Sequence, residues 1–166
     1  IVVNSASAPK AEALLNLLRE SLGSLKVSLP DAKQAPSDVM TRWLREQNAS
    51  DHFIIDEDCE LYNPIDGSNI VRCKGQDLHT DEIQSHLEAG KQVKNLGVSW
   101  NSLLSCIVSD DLSIKRLKFV GMKEEEANEE VESAEQKFDQ EFAVMTLELS
   151  NFFKSFFSAF GGLQKK

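Results

Sequence analysis

The 166-residue chain has no apolar run approaching the roughly 18 residues that a bilayer-crossing helix needs, and no stretch reads as a signal peptide. The first observation leaves no candidate for a membrane-spanning helix within these residues. Cysteine is scarce. Cys59, Cys73 and Cys106 are odd in number, far apart in sequence and set in strand-like contexts. They read as buried, reduced thiols of a cytoplasmic protein rather than a disulfide framework. Histidine is equally sparse, and His52, His79 and His86 show no ligand spacing among themselves or with the cysteines. No metal site is therefore assigned. A Gly-rich phosphate loop, a Ser/His/Asp constellation, internal repeats and low-complexity linkers are all missing, so no cofactor and no catalytic residue is assigned either. An initiating Met is absent too: Ile1-Val2-Val3 starts inside an apolar, strand-like run, so a fragment without its N-terminal portion is expected.

Positive charge is in deficit, with 18 Lys and Arg against 27 Asp and Glu and a net charge of −9. The deficit is uneven. Residues 1–69 carry 6 basic and 11 acidic side chains, residues 70–120 carry 7 and 6, residues 121–149 carry 2 and 10, and residues 150–166 carry 3 and none. A whole-chain charge says little about a local groove, and the acid is concentrated outside the central stretch.

What is present alternates between helix and strand patterns. Residues 5–24 predict a helix with Ser7 as cap, Pro9 in the first turn, a stripe of Ala13, Leu14, Leu17, Leu18 and Leu22, and Gly23 as stop. A strand is expected over 25–29, and a second helix over 37–47 carrying Val39, Met40, Trp43 and Leu44. From Phe53 a strand runs through Cys59 and Leu61 with Asp56, Asp58 and Glu60 on one face. A turn rich in Gly, Asp and Asn then leads into a second strand, 70–77, expected to run antiparallel to the first. Thr80 caps a short helix over 81–89. Strands over 91–100, 103–108 and 114–119 form a three-strand meander, its second turn being Ser109-Asp110-Asp111-Leu112. A charge run, 122–132, precedes Ser133 and Gln136, which match a capping box. Beyond it Phe138, Phe142, Met145, Leu149, Phe152, Phe156 and Phe160 recur at steps of three and four, an amphipathic helix of about 40 Å. Phe153 and Phe157 widen its stripe and leave a face for another subunit or a missing half.

In an acidic chain, cations gathered on strands point to a phosphate backbone. Arg72, Lys74 and Gln76 share one parity of their strand, opposite Val71 and Cys73. On the last strand of the meander Arg116 and Lys118 share a parity that Lys115 opposes. Lys91 and Lys94 lie on opposite parities, so at most one of them joins the set, and Lys91 is the candidate. The competing reading is a solvated face neutralised across strands by Asp56, Asp58 and Glu60.

Several strings together resemble the RdgC family of recombination-associated, DNA-binding proteins. They are Ser21-Leu22-Gly23-Ser24-Leu25, Arg72-Cys73-Lys74-Gly75-Gln76-Asp77-Leu78, Asp81-Glu82-Ile83 with His86-Leu87-Glu88-Ala89-Gly90-Lys91, Ser109-Asp110-Asp111 with Ser113-Ile114-Lys115-Arg116-Leu117-Lys118-Phe119, Lys137-Phe138-Asp139, and Leu147-Glu148-Leu149 before Gly161-Gly162. The resemblance covers nearly the whole chain and corresponds to the C-terminal half of a protein about twice this length. It implies an α+β fold, an antiparallel sheet with helices packed on it and a long C-terminal amphipathic helix, forming a ring-like homodimer around duplex DNA. It further implies binding of DNA, duplex first and single strands second, with little sequence preference, restraint of the RecA recombinase by competition for its DNA, and a cytoplasmic, nucleoid-associated location. In three segments the chain divides into an α/β part (1–69), the basic strand-helix-meander (70–120), and an acidic run with the final helix (121–166). Two departures stand out: Gly75 replaces a second Lys, and Leu112 replaces a Gly, which suggests a different turn geometry.

Two other functions remain open. One is an assembly module whose DNA groove is built mainly by the missing half. The other is a metal-dependent exonuclease, for which Pro64-Ile65-Asp66 precedes Arg72-Cys73-Lys74. In the nuclease pattern a second carboxylate would stand where Arg72 does, so a cation repels where a cation ligand is needed.

Overall fold

The computed structural model describes residues 1–5, 7–50, 52–120 and 133–164; the charge run at 122–132 lies outside them. It divides into two compact units, Ile1–Pro30 and Asp31–Lys166.

The first unit is built on α1 (Ala8–Leu22), with Pro9 in its first turn and Gly23, at φ 75°, ending it. Ser7 stands at the N-cap, but its side chain makes no cap bond; its backbone N–H donates to Ser5 Oγ at 3.1 Å instead. Leu14, Leu17 and Leu22 are exposed. The strand expected over 25–29 does not form.

In the second unit the elements run α2 (Pro36–Glu46), β1 (Phe53–Tyr62), β2 (Val71–Cys73), α3 (Asp81–Glu88), β3 (Gln92–Trp100), β4 (Leu104–Ser109), β5 (Ile114–Phe119) and α4 (Ala134–Ala159). All four strand pairings are antiparallel, in the order β2-β1-β3-β4-β5. The fold is α+β, as expected, and β1 and β2 pair as expected.

One face of the sheet carries the core. Phe53, Cys59, Leu61, Val93, Leu96, Val98, Trp100, Leu104, Cys106 and Val108 are buried there with Val39, Met40, Trp43 and Leu44 of α2 and Ile83 and Leu87 of α3. Thr41 Oγ1 accepts from the Val93 N–H at 2.9 Å and Ser37 Oγ donates to the Val93 carbonyl at 2.8 Å, which fixes α2 on β3. Thr80 stands at the N-cap of α3, yet its hydroxyl has no partner among the described residues.

α4 begins with the expected capping box, Ser133 and Gln136 bonding reciprocally. Its C-terminal half closes the core: Phe152, Phe156 and Phe160 are at most 1% exposed, and Phe152 meets Trp100 edge-on at 5.7 Å. Phe153 and Phe157, which widen the stripe, pack against this core instead of leaving a face there. The surplus apolar surface lies nearer the start of the helix, where Phe138, Phe142, Val144 and Leu147 are exposed.

Among the described residues the helices that bury the core pack on that face, and the opposite, open face has three pairing irregularities: a short one at Glu60/Leu61, where Lys94 is the extra residue of β3, and two longer ones. Between the pairs Ile55↔Val98 and Cys59↔Leu96, the residues Asp56, Glu57 and Asp58 oppose Gly97 alone. Gly97 makes this bulge possible, since a Cβ there would stand 3.2 Å from the Asp58 carbonyl oxygen and 3.3 Å from Asp56 Cβ. The second of the longer irregularities is on β5. Ser105 pairs with Lys118 and Ile107 with Lys115, so β5 carries one extra residue, and Arg116 takes a left-handed φ of 52°.

Candidate nucleic-acid interface

Antiparallel register brings charge together on the open face. Glu60 on β1 lies opposite Arg72 on β2 and Asn95 on β3. Arg72 Nε donates to Glu60 Oε2 at 2.8 Å, and the Lys94 ammonium stands 4.0 Å from Glu60 Oε1. One step into the bulge, Asp58 Oδ1 accepts the Gly75 N–H at 2.9 Å and Asp58 Oδ2 lies 3.5 Å from the Arg116 guanidinium. Asp56 accepts from Ser99 Oγ at 2.8 and 2.9 Å. Burial pushes the Asp56 pKa up; the Ser99 bond works against this and the nearby Asp58 charge adds to it.

The extra residue on β5 corrects the parity reading. Lys115 and Lys118, three positions apart, both pair with residues of the open face, Ile107 and Ser105. The left-handed Arg116 between them also reaches that face, to Asp58. All three cations therefore share it. Lys115 Nζ donates to Asn95 Oδ1 at 3.4 Å. Asp58, Glu60, Arg72, Lys74, Lys115 and Arg116 line a shallow groove of about 260 Å³.

Of the six residues expected at a DNA site, Arg72, Lys74 and Arg116 come together at this groove, and Lys118 sits further along β5 on the same face. Gln76 does not line the groove. β2 ends at Cys73, Gly75 turns the chain at φ 61°, and the Gln76 N–H donates to the Glu57 carbonyl at 3.2 Å. The long alternating strand expected over 70–77 is thus shorter, and its parity stops at Cys73. Lys91 is elsewhere: it is 7% exposed and its ammonium donates to the Asn69 carbonyl. Lys94, which paired with Lys91 as alternatives in the sequence, is the one on the open face. Lys115 was also missed, because parity fails across a bulge that no residue type announces.

The open face therefore gathers six cations, Arg72, Lys74, Lys94, Lys115, Arg116 and Lys118, against Asp56, Glu57, Asp58 and Glu60 in the adjoining bulged strand. Its ion pairs are open to competition: Arg72 is 70% and Arg116 61% exposed at the side chain. Pairs so wet contribute about 0–1 kcal/mol. Lys74 and Lys118 have no ion-pair or hydrogen-bond partner among the described residues. Such a surface suits a dense row of phosphates.

Asp66, the acid considered for a nuclease, is committed to its turn. Its Oδ1 accepts the Ser68 N–H at 2.9 Å, and hydrogen bonds from Ser68 hold its carboxyl below the usual range. Asp111 is likewise a turn residue, accepting the Ser113 N–H at 2.9 Å. Leu112 follows it at φ 63°, a left-handed conformation that glycine adopts freely, so here the Leu for Gly departure keeps a glycine-like backbone. Among the described residues no three His, Cys, Asp or Glu side chains are grouped to hold a metal ion. No helix among them is long and apolar enough to cross a membrane.

Comparison with known proteins agrees with the sequence resemblance. A family model described as "Putative exonuclease, RdgC" matches residues 1–163. The Recombination-associated protein RdgC of Pseudomonas entomophila is 43% identical over 163 residues, which is 98% of this chain and 53% of that protein. Its counterpart in Pseudomonas putida is 44% identical with the same coverage, and that of Aeromonas hydrophila is 43% identical over 98% of this chain and 54% of that protein. The chain spans about half the length of these curated relatives, and with matches of this extent and identity it belongs to the RdgC family.

Proposed function

We propose that this chain is the C-terminal portion of a non-enzymatic DNA-binding protein of recombination, and that the open sheet face contacts the phosphate backbone. The observation that carries this reading is the gathering of six cations on one face of a chain whose net charge is −9, two of them, Lys74 and Lys118, without a partner among the described residues. Phosphate contact supplies affinity without reading sequence, so binding is indifferent to sequence and weakens steeply with salt. In the same reading two copies of the whole protein close a ring around duplex DNA, restrain a RecA-type recombinase by occupying its DNA, and work in the cytoplasm at the nucleoid. The test is the affinity of the intact protein for two unrelated duplexes, and for single strands, across a salt series. Equal affinities that fall together with salt support the reading, and a binding constant independent of salt contradicts it.

A second reading rests on α4. Phe138 and Phe142 stack at 5.9 Å, and both are at least half exposed, as is Leu147. This surface favours an assembly role, with much of the DNA contact made by the other half of the protein. A strict monomer in light scattering would count against it. Nuclease action is the weakest of the three, because Asp66 is held in a turn and Arg72 occupies the position of a second ligand. Cleavage of labelled DNA with Mg²⁺ or Mn²⁺ that survives purification and disappears in Asp66→Ala would restore it.

A further inference from the structure

On the open face, the cations and the carboxylates that hold them differ in freedom. Glu60 sits on β1 with a neighbouring strand on each side, and only 17% of its side chain is exposed. Arg72, bonded to it at 2.8 Å, is 70% exposed, and Lys94, 4.0 Å from its other oxygen, is 44% exposed. The carboxylate is the fixed partner, and the two cations are the ones free to turn away. Asp58 is more entangled, since it also accepts the Gly75 N–H.

We propose that Glu60 is a built-in competitor for phosphate: it occupies Arg72 and Lys94 in the free protein and lowers DNA affinity until a polyanion displaces it. This rests on the reading of the open face as the DNA surface. The physical argument is an exchange. Arg72 contributes to DNA binding only by the difference between a phosphate contact and its contact with Glu60. The partly buried carboxylate then faces the incoming phosphates with its charge less compensated. Among the described residues Lys74 has no such partner, so it is the reference for a phosphate contact made without exchange.

The consequence is a specific pattern of non-additivity. Glu60→Gln keeps the shape and a hydrogen-bond acceptor for Arg72 but removes the charge. In the intact protein it should tighten duplex binding by roughly 3–10-fold near 0.1 M salt and steepen the salt slope by about one contact. Arg72→Ala should cost less than Lys74→Ala in the wild-type background. In the Glu60→Gln background it should cost as much as Lys74→Ala, so the two substitutions are coupled. A melting curve of each variant confirms folding, and if Glu60→Gln does not fold, Glu60→Asp, which shortens the reach to Arg72, takes its place with the same expected sign. Unchanged or weaker binding in the folded variant, or an additive cycle, would overturn the proposal. Because Lys74→Ala measures phosphate contact on its own, its weakened binding together with an unchanged Glu60→Gln would remove the competitor and leave the DNA surface standing.

Discussion

Lys91 is a structural cation. It is buried and its ammonium satisfies the Asn69 carbonyl. Lys91→Ala should therefore lower stability by about 1–3 kcal/mol in urea melts, because it strands a carbonyl and removes packing, and should leave the DNA salt slope unchanged. Cys106 gives a second residue-scale prediction. Burial pushes its thiol up to about 12, with the Asp56 charge adding to the effect. Between pH 9 and 12 the unfolded thiol ionises and the folded one does not, so the folded state holds the extra proton and stability falls as pH rises. The loss approaches about 1.4 kcal/mol for each unit above pH 9. Urea melts at pH 8 and pH 10 should show that loss reduced in Cys106→Ala relative to the parent. The buried, unpaired state of all three cysteines was legible in the sequence. The role of Lys91 was not, because a strand pattern shows which parity a side chain takes but not whether a distant carbonyl waits for it.

At the scale of elements, what could be read was periodicity, and what could not was its interruption. α4 declared itself through its capping box and its Phe spacing, and β1 through β5 through alternation. The long β1 bulge against Gly97, the extra Lys94 of β3 and the extra residue at Arg116 break the rule of two, and those breaks decide which cations share the open face. A bulge is a negotiation between two strands, so one strand's residues do not reveal it. α4 offers the matching energetic test. Phe156→Ala removes a fully buried ring and should cost about 3–5 kcal/mol. Phe142→Ala, on the exposed part of the same stripe, should change stability by no more than about 0.5 kcal/mol in urea melts of the intact protein unless that surface is covered by another part of the assembly. A cost at Phe142 near that at Phe156 would show such a covering.

For the molecule as a whole, the net charge of −9 and the proposed DNA surface are compatible because charge is unevenly spread: six cations share the open face with the four carboxylates of the bulged strand, and the rest of the acid lies elsewhere along the chain. The core face is apolar, the open face carries the cations, and much of the acid belongs to segments that the sequence places outside the basic stretch. Distribution of charge along the chain made this partly legible, but the face itself exists only once β2 and β5, at opposite edges of the sheet, bring Arg72 and Lys118 onto one side. The most direct measurement is a salt titration of duplex affinity for the intact protein, for Lys74→Ala, for Lys118→Ala and for the double variant, each checked by a melting curve. A phosphate surface predicts that each substitution weakens binding several-fold for unrelated sequences alike and reduces the salt slope by about 0.9, and that the double variant loses about 1.8, with folding unchanged. Affinity and slope that stay at the parent's values in the folded double variant would contradict it.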